Sequence, residues 1–282
     1  MTESSKEKSP VRVNVHSFFI LPFFITAASV LVFYWIWLLL THEPKTVEDY
    51  LQDVKIGSAS KRWQSAFELS RLLSNPERIP DTDRFAQQML STFDYARHDR
   101  DPRVKQYLIR AMGQTGMALF SETVAGCLDD ESEEVVADAV YALGIIRSEQ
   151  NLDRVRGMVH HGSPLVRNRA AIALGNMGFP QGIESLQSLL DDPEPNVVWN
   201  SAVALAKLGD PSGKRVLLNL LDINYLSQFN EVDNFERTEA MLVAIDAAAQ
   251  LNDSSLNAAI RELSKSDVDM RIRNAAINAL KL

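Results

Sequence analysis

The chain has a single cysteine, Cys127, among its 282 residues, which excludes an intramolecular disulfide framework and a zinc site built from several thiolates. It also lacks an excess of positive charge, with 29 Lys and Arg against 37 Asp and Glu for a net charge of -8. Residues 1–40 contribute Lys6, Lys8 and Arg12 against Glu3 and Glu7, so the remainder is more acidic still. Such a field repels phosphate backbones, and nucleic acid is not expected as a partner. Low hydrophobic content, the mark of a disordered chain, is absent as well: 46% of the residues are hydrophobic and 23% charged, enough for a sizeable core.

Charge is missing altogether from Ser17 to Leu40, SFFILPFFITAASVLVFYWIWLLL. As a helix this run would reach about 36 Å, more than a hydrocarbon core of about 30 Å. The sequence therefore predicts one transmembrane helix over residues 17–40. Tyr34, Trp35 and Trp37 gather at its C-terminal end, where amphipathic rings favour the membrane interface. A cleaved signal peptide has an apolar region of about 7 to 15 residues and a small-residue cleavage site, and LLLTHEPKT offers none. Lys6, Lys8 and Arg12 on one side face Lys45 and Lys55 on the other, so charge leaves the orientation open. The expected layout is a tail over 1–16, the span over 17–40, a juxtamembrane linker over 41–57 and a folded domain over 58–282.

That domain is repetitive. VKQYLIRAMGQTG from Val104, VVADAVYALGIIR from Val135, VRNRAAIALGNMG from Val166 and VVWNSAVALAKLG from Val197 follow one another at a constant interval. Before each opening Val stand Asp101-Pro102, Ser132-Glu133, Ser163-Pro164 and Glu194-Pro195. Asp or Ser accepts from the free amides of a helix start, and proline fits the first turn because its missing N–H is not needed there. Gly116, Arg147, Gly178 and Gly209 mark the far ends, in the place where glycine closes a helix in a left-handed conformation. Within each helix Ala111, Ala142, Ala173 and Ala204 recur beside Met112, Leu143, Leu174 and Leu205, a stripe of small residues that permits close approach of neighbouring helices. A second helix follows, with Val124, Val155, Leu186 and Leu217 on its apolar face. A helical pair of this kind hides its apolar side only by stacking on the next copy. The fold class is therefore all-α, a solenoid of helical-pair repeats preceded by one transmembrane helix. RWQSAFELSRLL with RFAQQMLSTF reads as a diverged first unit, and IRNAAINALKL as a closing half unit. The segment DINYLSQFNEVDNFE interrupts the array between Leu221 and Arg237; it either binds something or packs over a neighbouring groove.

Several residues invite chemical readings. His160 and His161 share register with Asp129-Asp130 and Asp191-Asp192 and have no further His or Cys near in sequence, so they read as loop rather than metal ligands. Cys127 aligns with Met158, Leu189 and Leu220, apolar positions of the second helix, and reads as a small core residue. Lys105 and Arg167 share a register position and are expected to bond the acidic loop of a neighbouring repeat. The cluster Arg97, His98, Arg100 and Arg103 is interleaved with Asp99 and Asp101, which cancels much of its field. More informative is the side of the first helix that the core stripe leaves free. In a solenoid one helix of each pair lines the concave surface, and there Tyr107, Arg110, Tyr141, Arg169, Trp199 and Asn200 form a ladder rich in the types that carry interface energy. These six are the candidate partner-binding residues. The alternative is that the aromatic ones cover grooves between helices. No cofactor, metal or small-molecule substrate is expected.

The strings DPEPNVVWNSAVALAKLGD and SPLVRNRAAIALGNMG resemble the short bacterial HEAT-like repeats first recognised in phycobiliprotein lyases, over about residues 100–282. YLQDVKIGSASKRWQSAFELSRLL, after the apolar run, resembles membrane-tethered bacterial HEAT proteins. This resemblance implies an α-solenoid that binds proteins without catalysis, as an accessory subunit of a membrane transporter or envelope complex, in the bacterial inner membrane with its repeats in the cytoplasm. It also admits a chromophore lyase or chaperone-like role, or a signalling adaptor. Deoxyhypusine hydroxylases share similar repeats and carry paired His-Glu motifs, whereas the His-Glu pair of this sequence, His42-Glu43, abuts the apolar run.

Overall fold

The computed structural model describes residues 15–41, 45–230, 232–265 and 269–281, with side chains for all of them except 15–21 and 38–41. Among these residues every regular element is helical. In chain order they are α1 Val15–Thr41, α2 Val47–Ile56, α3 Ala59–Leu73, α4 Asp83–Ala96, α5 Pro102–Gln114, α6 Ser121–Ala125, α7 Glu133–Ile146, α8 Leu152–Gly157, α9 Pro164–Met177, α10 Ile183–Ser188, α11 Pro195–Lys207, α12 Lys214–Leu220, α13 Ile223–Leu226, α14 Asn234–Gln250, α15 Ser254–Leu263 and α16 Met270–Ala279. The chain divides into two units, one ending at Thr46 and the other running from Val47.

The first unit is the helix α1. Phe23, Ile25, Leu31, Phe33, Trp35 and Trp37 are all exposed along it, so no side of it is polar. Two of its hydroxyls bond within the helix: Thr26 Oγ1 donates to the Pro22 carbonyl at 2.5 Å and Ser29 Oγ to that of Ile25 at 2.8 Å. Among the described residues no helix is long and apolar enough to cross a membrane. The described side chains of α1, Pro22 to Trp37, span about 24 Å, and the expected span of residues 17–40 extends past them at both ends. The tail expected over 1–16 lies almost wholly outside the described residues.

In the second unit the first helices of successive pairs, α3, α5, α7, α9, α11, α14 and α16, pack one on the next in a row, and the shorter second helices back them. Glycines set the spacing of the row. A Cβ added to Gly113 would lie 2.8 Å from the Cα of Ala142, one on Gly144 2.6 Å from the Cα of Ala173, and one on Gly175 3.0 Å from the Cα of Ala204. Each contact sits one repeat beyond the last, so the first helices touch backbone to backbone with nothing larger than alanine between them. The ends of these helices repeat as well. Gly116, Arg147, Gly178 and Gly209 all have positive φ, at 65°, 56°, 78° and 78°, the left-handed closure that glycine adopts without strain. At the starts, Asp101 accepts from the Arg103 amide and Ser132 from that of Val135, while Ser163 and Glu194 make no side-chain cap.

The apolar core runs the length of this unit and passes through α11: Val197 and Leu205 belong to the part shared with α9, Trp199 and Ala202 to the part shared with α14. One expectation is corrected at the front. Residues 41–57 are not merely a linker, because α2 buries Val47, Leu51 and Val54 and packs on α3 and α4. Without α2 the outward apolar side of the α3–α4 pair would face water, so the array is closed there by one extra helix.

Candidate functional site

Charged clips run along one edge of the array. Lys105 reaches Asp130 at 2.5 Å, and Arg167 grips Asp192 through Nε at 2.6 Å and Nη2 at 3.0 Å. Arg62 pairs with Asp99, its Nε 2.7 Å from Oδ2 and its Nη2 donating to Oδ1 at 3.4 Å. These acids also cap the turns that precede the next first helix, since Asp99, Asp130 and Asp192 accept from the amides of Asp101, Ser132 and Glu194. At the equivalent place His161 accepts through Nδ1 from the Ser163 amide, which makes it a turn residue. Among the described residues no group of three or more His, Cys, Asp and Glu is arranged to hold a metal ion. Cys127 is buried, and burial pushes its thiol up to about 11, so its neutral, unreactive form prevails at physiological pH.

The six candidate partner-binding residues fall on the first helices α5, α7, α9 and α11, and the structure joins them into two groups. Tyr107 meets Phe67 edge to face at 5.2 Å, and the Arg110 guanidinium lies 5.5 Å from the Tyr107 ring. Arg110 forms an ion pair with Asp138, its Nε 2.9 Å from Oδ1. Arg169 covers the Tyr141 ring at 5.0 Å. Asp138 thus sits among two tyrosines and two arginines, with its side chain 5% exposed. Burial, with a smaller push from the charge of Glu134, raises its carboxyl above the usual range, against the opposing bond from Arg110 and the charges of Arg110 and Arg169. Its Oδ2 is buried without a hydrogen-bond partner, and so is the Nε of Arg169.

The second group is centred on α11. Asn200 donates to Asn168 Oδ1 at 2.8 Å across the α9–α11 seam and to the Asn196 carbonyl at 2.9 Å. Trp199 is only 8% exposed. Phe229 stands edge to face on it at 5.0 Å, and Tyr225 Oη lies 3.5 Å from its indole nitrogen. The interrupting segment therefore packs over Trp199, and the tryptophan covers a groove instead of projecting from the face. Beside it α11 and α14 enclose a groove of about 570 Å³, bordered by Asn196, Val203, Phe235, Glu236, Glu239 and Val243. Phe235 remains 62% exposed at its rim, with Arg271 5.7 Å above its ring.

Sequence reading missed Asp138 as the hub of the first group, although one acid inside the apolar run VVADAVYALG was its signal. It also missed Phe67, whose contact with Tyr107 depends on which diverged helix stacks on α5. Tyr34, Trp35 and Trp37, expected from the sequence at a membrane interface, are exposed on α1, and the Tyr34 and Trp37 rings stand 6.4 Å apart.

Stacked helical pairs with a continuous first-helix row define an α-solenoid of HEAT-like repeats. Residues 91–163 and 155–225 match the HEAT repeat family. No curated protein matches it. Among solved structures, the complex of CpcE and CpcF of phycocyanin lyase from Nostoc sp. PCC7120 is similar at 17% identity and a TM-score of 0.58, covering 86% of this chain and 96% of that one. YibA of E. coli is similar at 18% identity and a TM-score of 0.51, covering 83% of this chain and 82% of that one. At these identities the likeness concerns the fold.

Proposed function

We propose that the chain is a non-catalytic scaffold whose first-helix face docks partner proteins, and that α1 anchors it to a membrane. The observation that carries the docking reading is the run of tyrosine, arginine and asparagine side chains across α5, α7, α9 and α11, half-exposed on helices held rigidly by backbone-to-backbone contact. Interface energy concentrates in such residues when they are fixed in place before binding. The similarity to CpcE and CpcF, themselves partners in a complex, agrees with a repeat unit made to assemble with another protein.

The anchor reading rests on the 24 uncharged residues from Ser17 to Leu40, on the continuous helix that contains them, and on the Thr26 and Ser29 hydroxyls bonded within it, as an apolar solvent favours. Tyr34, Trp35 and Trp37 would lie at the interface, and the repeats in the cytoplasm of a bacterial cell. The partners are then subunits of a membrane transporter or envelope complex.

Affinity purification of the full chain from a detergent extract should bring down membrane subunits in stoichiometric amounts, and purification of the chain alone would defeat the docking reading. Protease treatment of intact cells should leave the repeats uncut; digestion from outside would reverse the orientation. A second reading, a lyase or chaperone-like protein for a protein-bound chromophore, is favoured by the fold likeness to a phycocyanin lyase complex. Stoichiometric tetrapyrrole binding by the purified chain would put it first.

A further inference from the structure

We propose that the front edge of the array, formed by the end of α2, the start of α3 and the turn between α4 and α5, is a contact surface for anionic lipid headgroups. This inference rests on the anchor reading and names the lipid chemistry that the repeats themselves would meet.

The start of α3 and the turn before α5 border an open hollow of about 930 Å³, whose charged lining is Arg62, Arg100 and Arg103 against Asp99 and Asp101. Both carboxylates are taken. Asp99 is held by Arg62 and is 5% exposed, and Asp101 is gripped by Arg103 through Nε at 2.9 Å and Nη2 at 2.6 Å. The Arg103 guanidinium in turn lies 4.2 Å from the centre of the Trp63 ring. Arg100 and His98 are exposed and make no hydrogen bond or ion pair among the described residues. The acids interleaved with this cluster are therefore spent on Arg62 and Arg103, and the charge of Arg100 is left for a ligand.

The wider edge keeps the same sign. Lys61 pairs with Asp53 and Arg97 with Asp94, while Lys55 donates to Ser91 Oγ, so six bases face four acids in a chain of net charge -8. Glu48 and Asp49 stand about 10 to 12 Å back along α2 from Ile56, past the screening length of about 8 Å. One repeat further along the edge, Asp129, Asp130, Glu131, Glu133 and Glu134 outnumber Lys105 and Arg154, and the sign reverses. An anionic surface is thus attracted at the front and repelled behind it. Ile56 is 73% exposed at the end of α2 and Tyr95 57% exposed at the end of α4. The Gly57 carbonyl, next to Ile56, accepts from Arg62 Nη1 at 3.4 Å, which joins these residues to the hollow. An apolar and an aromatic side chain among bases is the pattern that settles into a headgroup layer. Residues 42–46 alone separate α1 from α2 along the chain, so this end of the array is the one tethered to a membrane that holds α1.

The test uses the full-length protein reconstituted into vesicles of phosphatidylcholine alone, or of equal parts phosphatidylcholine and phosphatidylglycerol, each with a trace of lipid spin-labelled at the headgroup. A fluorophore is attached through Ser58→Cys, whose hydroxyl makes no cap bond, or through Ser188→Cys on α10; Cys127 is buried and does not compete. The dye at position 58 should be quenched in the anionic vesicles and several-fold less in the neutral ones, and the dye at position 188 in neither. Arg100→Gln should lower the ratio of docked to free protein read from the quenching about fivefold. Ile56→Ser and Tyr95→Ser should lower it as well, and Arg261→Gln, on α15, should leave it unchanged. Arg100 has no bond to lose, so the thermal melting of Arg100→Gln should match that of wild type. Equal quenching in the two lipids, or none lost in Arg100→Gln, would overturn the inference. Release from quenching by inorganic phosphate, at an ionic strength matched with chloride, would also overturn it, in favour of a free phosphate site. Flotation of the full chain with neither kind of vesicle would end the anchor reading and this inference with it. A chain that floats with both while its dye at position 58 stays unquenched would end this inference alone.

Discussion

Two glycines show how local space decides the sign of one substitution. A Cβ at Gly144 would lie 2.6 Å from the Cα of Ala173, whereas nothing lies within 4 Å of one at Gly157. Gly144→Ala should therefore push α7 from α9 and destabilise the protein by about 1 to 3 kcal/mol, since overpacking outweighs the gain in helix propensity. Gly157→Ala, at the end of α8, should stabilise by up to about 1 kcal/mol through that propensity alone. Urea unfolding of the two variants measures both, and shifts of the same sign would refute the account of the row spacing. Arg147 offers a third case. It holds φ 56° where the other three repeats have glycine, so Arg147→Gly should raise stability by about 1 kcal/mol in the same assay. Trp199→Ala, by contrast, should cost about 3 to 5 kcal/mol, because Phe229 and Tyr225 lose the ring they cover.

At the scale of the element, the Arg167–Asp192 clip ties α9 to the turn before α11, with both side chains largely buried at 13% and 5% exposure. The Arg167 guanidinium holds the Asp192 carboxyl below its usual range. A carboxyl depressed in the folded state contributes stability that is complete above its unfolded value, about 3.9, and is lost as pH falls through the folded one. Arg167→Ala should lower stability by about 2 to 3 kcal/mol at neutral pH. It should also flatten the loss between neutrality and acid, and an unchanged acid limb in thermal melts would contradict the clip. Much of this level was legible from residues: the constant repeat interval, the paired Pro and Gly at helix ends, and the shared register of Lys105 and Arg167 each have a local physical cause. The closing role of α2 was not, because Val47, Leu51 and Val54 acquire meaning only when α3 and α4 stand beside them. Nor was the burial of Trp199 under Phe229, which depends on how an irregular segment folds back. The six ladder residues lie on the first helices, yet they engage side chains of neighbouring elements sideways, a consequence of how closely those elements pack.

For the whole molecule, a row of rigidly spaced helices that presents one polar and aromatic face is what a docking scaffold requires, and stability and recognition share the same helices. Every repeat leans on its neighbour, so a break in the row at α7 and α9 should disrupt the Tyr141–Arg169 stack and the Asn168–Asn200 bond together. The most direct test is site-specific photocrosslinking in native membranes, with a photoreactive residue placed at Tyr141 on the first-helix face or at Gln187 on α10. The account predicts that Tyr141 is joined to a partner protein and Gln187 is not; crosslinks from Gln187 alone, or none from either position, would contradict it.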